Sequence, residues 1–573
     1  MAEEARKLSR REFLKLAGVA GAAIGAAGGL GGLLAACGGE TTTTTAGPAT
    51  TAGPATTAGP ATTAGPATTG GPSTTAAAAG PKYGGVLVQD DEAFPAQYAV
   101  PWLIAGPQER YMGFCMDPLL MGTEEVGVYK PMLAESWELA ADKSSYTFKL
   151  RQGVKFHDGT DFNATAAKFN LDMVKKTGGP WMTKVTSVDA VDDYTLKLNL
   201  SGWDTMVLDD FKTANCYIAS PTAYQKLGEK EMQTHPVGTG PFMYESYTAR
   251  ESMTFVKNPN YWMKDDQGQQ LPYLDGVKVL AGTDAVTREL AFRKGDIHYL
   301  QEAAVPTAVA LMKDGWALQP NPLAGNFMFW YDSTDPTSVF AKPQVRMAIE
   351  HAINKEEMAS TVGHDLITPS YECVFGIHSL TDPGTTPRKY DPEKAKQLLA
   401  EAGYANGFDA EMFLDSKFSS DMVVAIQQYA AKVGINLKIN AADSSVSIEQ
   451  RFSKAKPGRM IFDRQRGGGV ATLRQTYADF APGAPVFQGV AHPAGFDEAL
   501  GKAIVAEDAA GQIAGLKEAE GAAYPNVMTI PVFTDPDKDF AYPFIKFNEK
   551  MTPSWRTTSG QPIFQLQYVW LDK

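Results

Sequence analysis

The chain has 573 residues, 44% hydrophobic and 20% charged, the composition of an ordinary folded body large enough for two or more domains. Its formal net charge is −13, from 65 acidic against 52 basic residues, which argues against nucleic acid or anionic lipid as the main partner. Its 4 cysteines have no close spacing, which excludes a CxxC-type metal site.

Residues 1–36 read as an export signal. Arg10 and Arg11, with Phe13, Leu14 and Lys15 behind them, match the twin-arginine pattern, and an uncharged run follows from Leu16 to Ala36. That run is long enough to span a bilayer. Leu34-Ala35-Ala36-Cys37 nevertheless resembles the lipobox of bacterial lipoproteins, so Cys37 is the expected lipid attachment site, with cleavage just before it. Residues 37–81 follow as a linker in which Ala-Gly-Pro-Ala-Thr-Thr recurs between Ala46 and Thr69. With no large apolar side chain it has nothing to bury against the entropy of ordering. As a random coil it would span about 35 to 40 Å, and its Thr and Pro content would suit O-linked sugar.

The body from Lys82 begins with a strand at Val86-Leu87-Val88 and an aromatic-rich connection containing Trp102. Tyr146 to Arg151 alternates bulky and polar residues as a half-buried strand does; Gln152-Gly153 is expected to turn it back so that Val154-Lys155-Phe156 pairs with the return. A helical pattern starts at Ala164, and strand signals resume at Val185 to Val191 and Tyr194 to Leu200. His235 to Phe242, with Gly238 and Gly240 between Pro236 and Pro241, reads as a rigid loop and not a phosphate loop, since no Gly-Lys-Ser/Thr follows. Gln344 to Met358 places Val345, Ala348, Ile349, Ala352 and Ile353 on one helical face. A further helix has Asp391 as N-cap, Pro392 in its first turn and Gly403 at its end. Asp421 to Val433 is helical and Ile435 to Ile439 a strand, so helices cover a sheet.

Several segments together resemble one family: Leu133 to Trp137, Tyr146 to Gly159, Pro236 to Pro241, Asn258 to Trp262, Gly295-Asp296-Ile297, Val345 to Ile353 and Tyr390 to Gly403. In that order they look like the family 5 extracellular solute-binding proteins, the oligopeptide, dipeptide and nickel binding components of ABC importers. The resemblance implies an α/β fold of the periplasmic-binding-protein class II type: two lobes with a hinge, and an extra small domain in the first. The first lobe would cover residues 82–310, with the small domain at about 113–200, and the second lobe 311–525. Residues 526–573 would return to the first lobe, near Thr529 to Phe533.

The resemblance also implies that a small solute is engulfed between the lobes and handed to a membrane permease, by a monomer with no cofactor, tethered through Cys37 on the outer face of the bacterial cytoplasmic membrane. Ligand-binding candidates are Trp102, Trp330, Tyr331, Asp463, Arg464 and Arg466. Peptide-binding members commonly carry an Asp-Pro-like element whose acid holds the peptide amino terminus. Here the comparable stretch, Ile461 to Val470, has Asp463 but no such element, so Asp463 or Asp479 would have to substitute. Sugars or other polar metabolites therefore stand beside peptides as expected solutes. A ligand-sensing or scavenging lipoprotein without a permease is the second reading. A secreted glycoside hydrolase is the third, because paired carboxylates need not be close in sequence. There is no GxSxG and no HExxH, and His157-Asp158 falls on a turn where adjacent side chains diverge. The 7 scattered histidines give no local metal spacing.

Overall fold

The computed structural model describes residues 80–91, 100–103, 109–123, 127–177, 182–282, 284–319, 324–374, 386–416, 418, 420–454, 456–467, 471–484, 486–547 and 565–573. The export signal, Cys37 and the linker repeats lie outside them. Among the described residues no helix is long and apolar enough to cross a membrane.

Two six-stranded sheets organise the body. The first runs, in spatial order, Phe540–Ala541, Tyr299–Leu300, Val86–Asp91, Gly276–Ala281, Ser252–Lys257 and Phe242–Thr248. Val86–Asp91 lies parallel to both of its neighbours. Leu87, Val277, Val279 and Phe255 belong to one core with Phe114, Phe148 and Leu171, so the small domain shares the first lobe's core.

The small domain is a four-stranded antiparallel sheet, Ala134–Leu139, Ser145–Leu150, Thr195–Leu200 and Val185–Asp192. The helix Ala164–Thr177 buries Ala164, Ala167, Leu171 and Val174. Val154-Lys155-Phe156 does not join this sheet, contrary to the sequence expectation. Ser145–Leu150 already has both edges occupied, by Ala134–Leu139 and Thr195–Leu200. The segment closes on itself instead, through Phe156 N to Thr160 O at 2.9 Å and Phe162 N to Val154 O at 2.9 Å.

The second sheet runs Thr368–Pro369, Ile530–Pro536, Ala324–Tyr331, Arg459–Gly467, Phe408–Asp415 and Ile435–Ala442. Its central strand Ala324–Tyr331 reads AGNFMFWY, apolar on both faces as a strand covered on both sides must be. Phe327, Phe329 and Tyr331 enter one core with the helices Pro343–Ala352, Pro392–Glu401 and Ser420–Lys432. Met328 and Trp330 enter another, with Ala471–Phe480, Phe496–Ile504 and Ala509–Ala523. Each such side chain contributes on the order of 2 kcal/mol by leaving water.

Two sequence expectations change here. The helix expected over Gln344 to Met358 breaks at Ile353-Asn354, because the Asn354 side chain accepts from Glu357 N at 3.1 Å and caps a new helix, Lys355–Thr361. Ile530–Pro536, expected in the first lobe, pairs with Ala324–Tyr331 in the second sheet. The crossing follows Pro536, and Phe540–Ala541 then pairs with Tyr299–Leu300.

Candidate functional site

The glycine-rich loop and its companions form a structural knot in the first lobe. His157 Nε2 lies 2.9 Å from Gly240 O, and Asn258 Nδ2 donates to the same oxygen at 2.9 Å. The buried Asp117 carboxylate accepts from Thr239 Oγ1 at 2.9 Å, Tyr261 at 3.2 Å and Trp262 Nε1 at 2.9 Å. Burial raises the Asp117 acid to about 6 against these donors, and burial lowers His157 to about 4. A Cβ on Gly240 would fall 2.5 Å from the Cys115 carbonyl carbon, so only glycine lets the loop reach that backbone. Asp158 turns the other way, to Ser220 and Thr160, so His157 and Asp158 make no catalytic pair.

Two crossovers join the lobes and bond to each other. Ala303 N donates to Lys538 O at 2.8 Å and Gln319 N to Asp539 O at 2.8 Å. Asp539 accepts from Tyr299 at 2.8 Å and from Glu302 N at 2.8 Å. At the carboxyl end of Val86–Asp91, where open α/β sheets place their ligands, Asp90 is paired with the buried Arg288 and accepts from Gln301 N at 2.9 Å, and Asp91 accepts from Tyr111.

Arg464 clamps the second crossover. Its Nη2 donates to Asp535 O at 3.0 Å and to Asp537 Oδ1 at 2.6 Å, reaching from its own strand across the central one. A Cβ on Gly325 would sit 1.9 Å from Arg464 Nε, so the bare glycine is the passage for that side chain. The carboxylates of Asp537 and Asp535 hold the guanidinium above its ordinary range despite burial.

The six candidate residues are not brought together. Trp102 packs in the first lobe against Phe169 and Tyr224 and donates to Glu229 at 3.3 Å. Tyr331 lies in the core on the face opposite Trp330, donating to Val527 O under the Arg346 guanidinium. Trp330 stacks on Phe487 with centroids 3.7 Å apart and planes 7° from parallel. Asp463 is ion-paired with Arg451. Arg466 stands on the strand opposite Gly325, and its side chain lies outside the described residues.

On the Trp330 face, Asn326 stands opposite Gln465 in the ladder. Asn326 is fully buried, and neither of its side-chain polar atoms has a partner among the described residues; Gln465 Oε1 is likewise unpartnered. Leaving such a group buried and unbonded costs about 1–3 kcal/mol, which a protein retains where something else will bond it. Gln465 and Gln475 both donate to Asp479, whose acid is raised to about 6 by burial, with those two amides opposing the rise.

A second set of contacts joins the lobes outside the crossovers. Arg474, on the helix Ala471–Phe480, donates to Asp210 at 3.0 Å. Thr205 N donates to Ile504 O at 2.8 Å, and Gln512 Nε2 to Thr205 Oγ1 at 3.1 Å. Met206 packs into the second-lobe cluster with Leu500 and Ala503, while its neighbour Val207 belongs to the first-lobe core.

Residues 128–497 match the family model described as bacterial extracellular solute-binding proteins, family 5 Middle. The chain belongs to that family. Glutathione-binding protein GsiB of Shigella flexneri is 30% identical over 355 residues, 60% of this chain and 67% of that protein. Among solved structures, DppA from Helicobacter pylori in complex with peptide STSA superposes with TM-score 0.72 at 24% identity, over 86% of this chain and 99% of that one. NikA from Brucella suis in complex with Fe(III)-EDTA gives TM-score 0.72 at 23% identity, over 84% and 99%. The fold is therefore the two-lobed class II periplasmic-binding-protein type. By family the chain is an extracellular solute-binding protein, and the curated relative it matches is likewise a binding protein.

Sequence reading missed Asn326, Gln465, Arg474 and Asp210. Asn326 carried a usable signal, a lone amide inside the apolar run Ala324–Tyr331. Arg474 and Asp210 are separated by more than half of the body and carried none.

Proposed function

We propose that the chain is exported through Arg10 and Arg11, held by lipid on Cys37 on the outer face of the cytoplasmic membrane, and acts as a monomeric, non-catalytic receptor that closes on a small polar solute for its permease. The observation that supports closure is the Arg474 to Asp210 bond between the lobes, outside the crossovers. Contacts of this kind favour a closed state that a solute touching both lobes stabilises further.

Peptide-sized solutes are the first class to test, since one relative is a glutathione-binding protein and one structural neighbour holds a peptide. Oligosaccharides come second. The pairing of Asp463 with Arg451 speaks against Asp463 as the anchor of a peptide ammonium.

A thermal-shift screen of the purified chain against short peptides, glutathione and neutral oligosaccharides tests this reading. A true solute at one hundred times its dissociation constant adds about 2.7 kcal/mol of stability. Stabilisation by one class supports capture and names the class; no shift with any class overturns it. Mass spectrometry of the membrane fraction from the native host should find diacylglycerol on Cys37, and Cys37→Ala should release the protein.

A further inference from the structure

Asn326 and Gln465 stand directly opposite each other, a position that sets Cβ atoms about 5 Å apart. They do not bond to one another: Asn326 Oδ1 and Nδ2 have no partner among the described residues, and Gln465 gives only its Nε2, to Asp479. One small region therefore holds two unanswered acceptors, Asn326 Oδ1 and Gln465 Oε1, and one unanswered donor, Asn326 Nδ2. It lies near the sheet edge from which Pro536 leads into the first lobe, in register with Thr534 on the third strand. The charges on this face are already engaged, Asp463 with Arg451, and Asp479 with Gln465 and Gln475.

We propose that Asn326 and Gln465 form the subsite for an uncharged solute group that both donates and accepts hydrogen bonds, a carboxamide or a pair of hydroxyls. This deepens the solute-capture reading and rests on it. A carboxamide oxygen takes the Asn326 N–H while its NH₂ gives to Asn326 Oδ1 and Gln465 Oε1; two hydroxyls satisfy the same three atoms. An ammonium has only donors and leaves the Asn326 N–H unanswered. A carboxylate has only acceptors and leaves both amide oxygens unanswered. A carboxylate would also enter beside the Asp479 carboxylate, whose hydrogen bonds come from the neutral amides of Gln465 and Gln475, and so at a further electrostatic cost.

Isothermal titration of the whole chain, Asn326→Leu and Gln465→Met tests the subsite, with three probe sets: peptide amides, the matching free-acid peptides, and neutral disaccharides. The expected result is that the wild type binds a neutral set, and that Asn326→Leu binds it at least tenfold more weakly with no fall in Tm. Gln465→Met should weaken the same set and keep the choice between sets. Binding to peptide amides or to disaccharides identifies which source supplies the neutral group. Equal binding by wild type and both variants, or wild-type preference for the free acids, overturns the subsite and leaves capture standing. No binding of any set by the wild type removes the capture reading and the subsite with it.

Discussion

Arg474 of the second lobe and Asp210 of the first meet at 3.0 Å with both side chains buried. Burial raises the Asp210 acid to about 6 even though the Arg474 charge pulls it down, so the bond holds a costly carboxylate in place. Arg474→Met leaves Asp210 buried against the second lobe without its cation, at a cost of about 3–5 kcal/mol to the closed arrangement. The expected outcome is a shift toward the open form in interlobe fluorescence transfer and a loss of solute affinity by two orders of magnitude or more, since each 1.4 kcal/mol is about tenfold. Unchanged transfer efficiency would show that the pair contributes nothing to closure.

Glu520 predicts a pH dependence of stability. Its carboxylate accepts from Cys373 N at 3.0 Å and Val374 N at 2.5 Å, yet burial raises the acid to about 8, with Glu372 and Glu350 adding to the rise. The unfolded-state value is near 4.3. A folded value above the unfolded one gives stability that is whole at low pH and is lost as pH rises through the folded pKa, with a limiting slope of about 1.4 kcal/mol per pH unit. Chemical denaturation between pH 5 and 9 should show this decline, and Glu520→Gln should flatten it.

Gly325→Ala should act through Arg464. The added Cβ meets the Arg464 side chain, expels it from its passage over the central strand and breaks its bonds to Asp535 and Asp537. A loss of about 2 kcal/mol or more is expected from those charge-assisted bonds. If equilibrium unfolding shows no change, Arg464 reaches the crossover by another route.

Asp117→Leu removes the acceptor shared by Thr239, Tyr261 and Trp262. Two buried donors, Thr239 and Tyr261, and the half-buried Trp262 would lose their partner, at about 1–3 kcal/mol for each buried one. Protease sensitivity should rise in the first lobe, and unchanged sensitivity would show that the cluster contributes nothing to its stability.

Cys216 and Cys373 are free buried thiols, and burial raises both well above the ordinary thiol range. A thiol reagent should leave both unmodified in the native protein and label both in denaturant. Rapid native labelling of either would contradict its burial.

Local patterning was legible in the chain. Asp391 caps its helix through Lys394 N at 2.8 Å as its spacing with Pro392 implies, and the apolar stripe Val345, Ala348, Ile349 and Ala352 is buried. These follow from short-range rules that need only neighbouring residues. Strand partnership did not follow: Val154 to Phe156 found no open edge, and Ile530–Pro536 joined the second sheet instead of the first. Register is set by which edges are occupied, and occupancy is a property of the whole sheet.

The candidate site divides in the same way. Residue identity alone determined that this is an acidic, two-lobed solute-binding chain, because the family segments occur in order along it. Only the tertiary structure decided what each polar side chain does. Arg464 is drawn to Asp537 at the crossover, and Asp463 is neutralised by Arg451. Asn326 is left with unanswered hydrogen-bonding atoms beside Gln465. Charge pairing and hydrogen-bond satisfaction depend on partners distant in sequence, which the packing of strands and helices brings within 3 Å or holds apart.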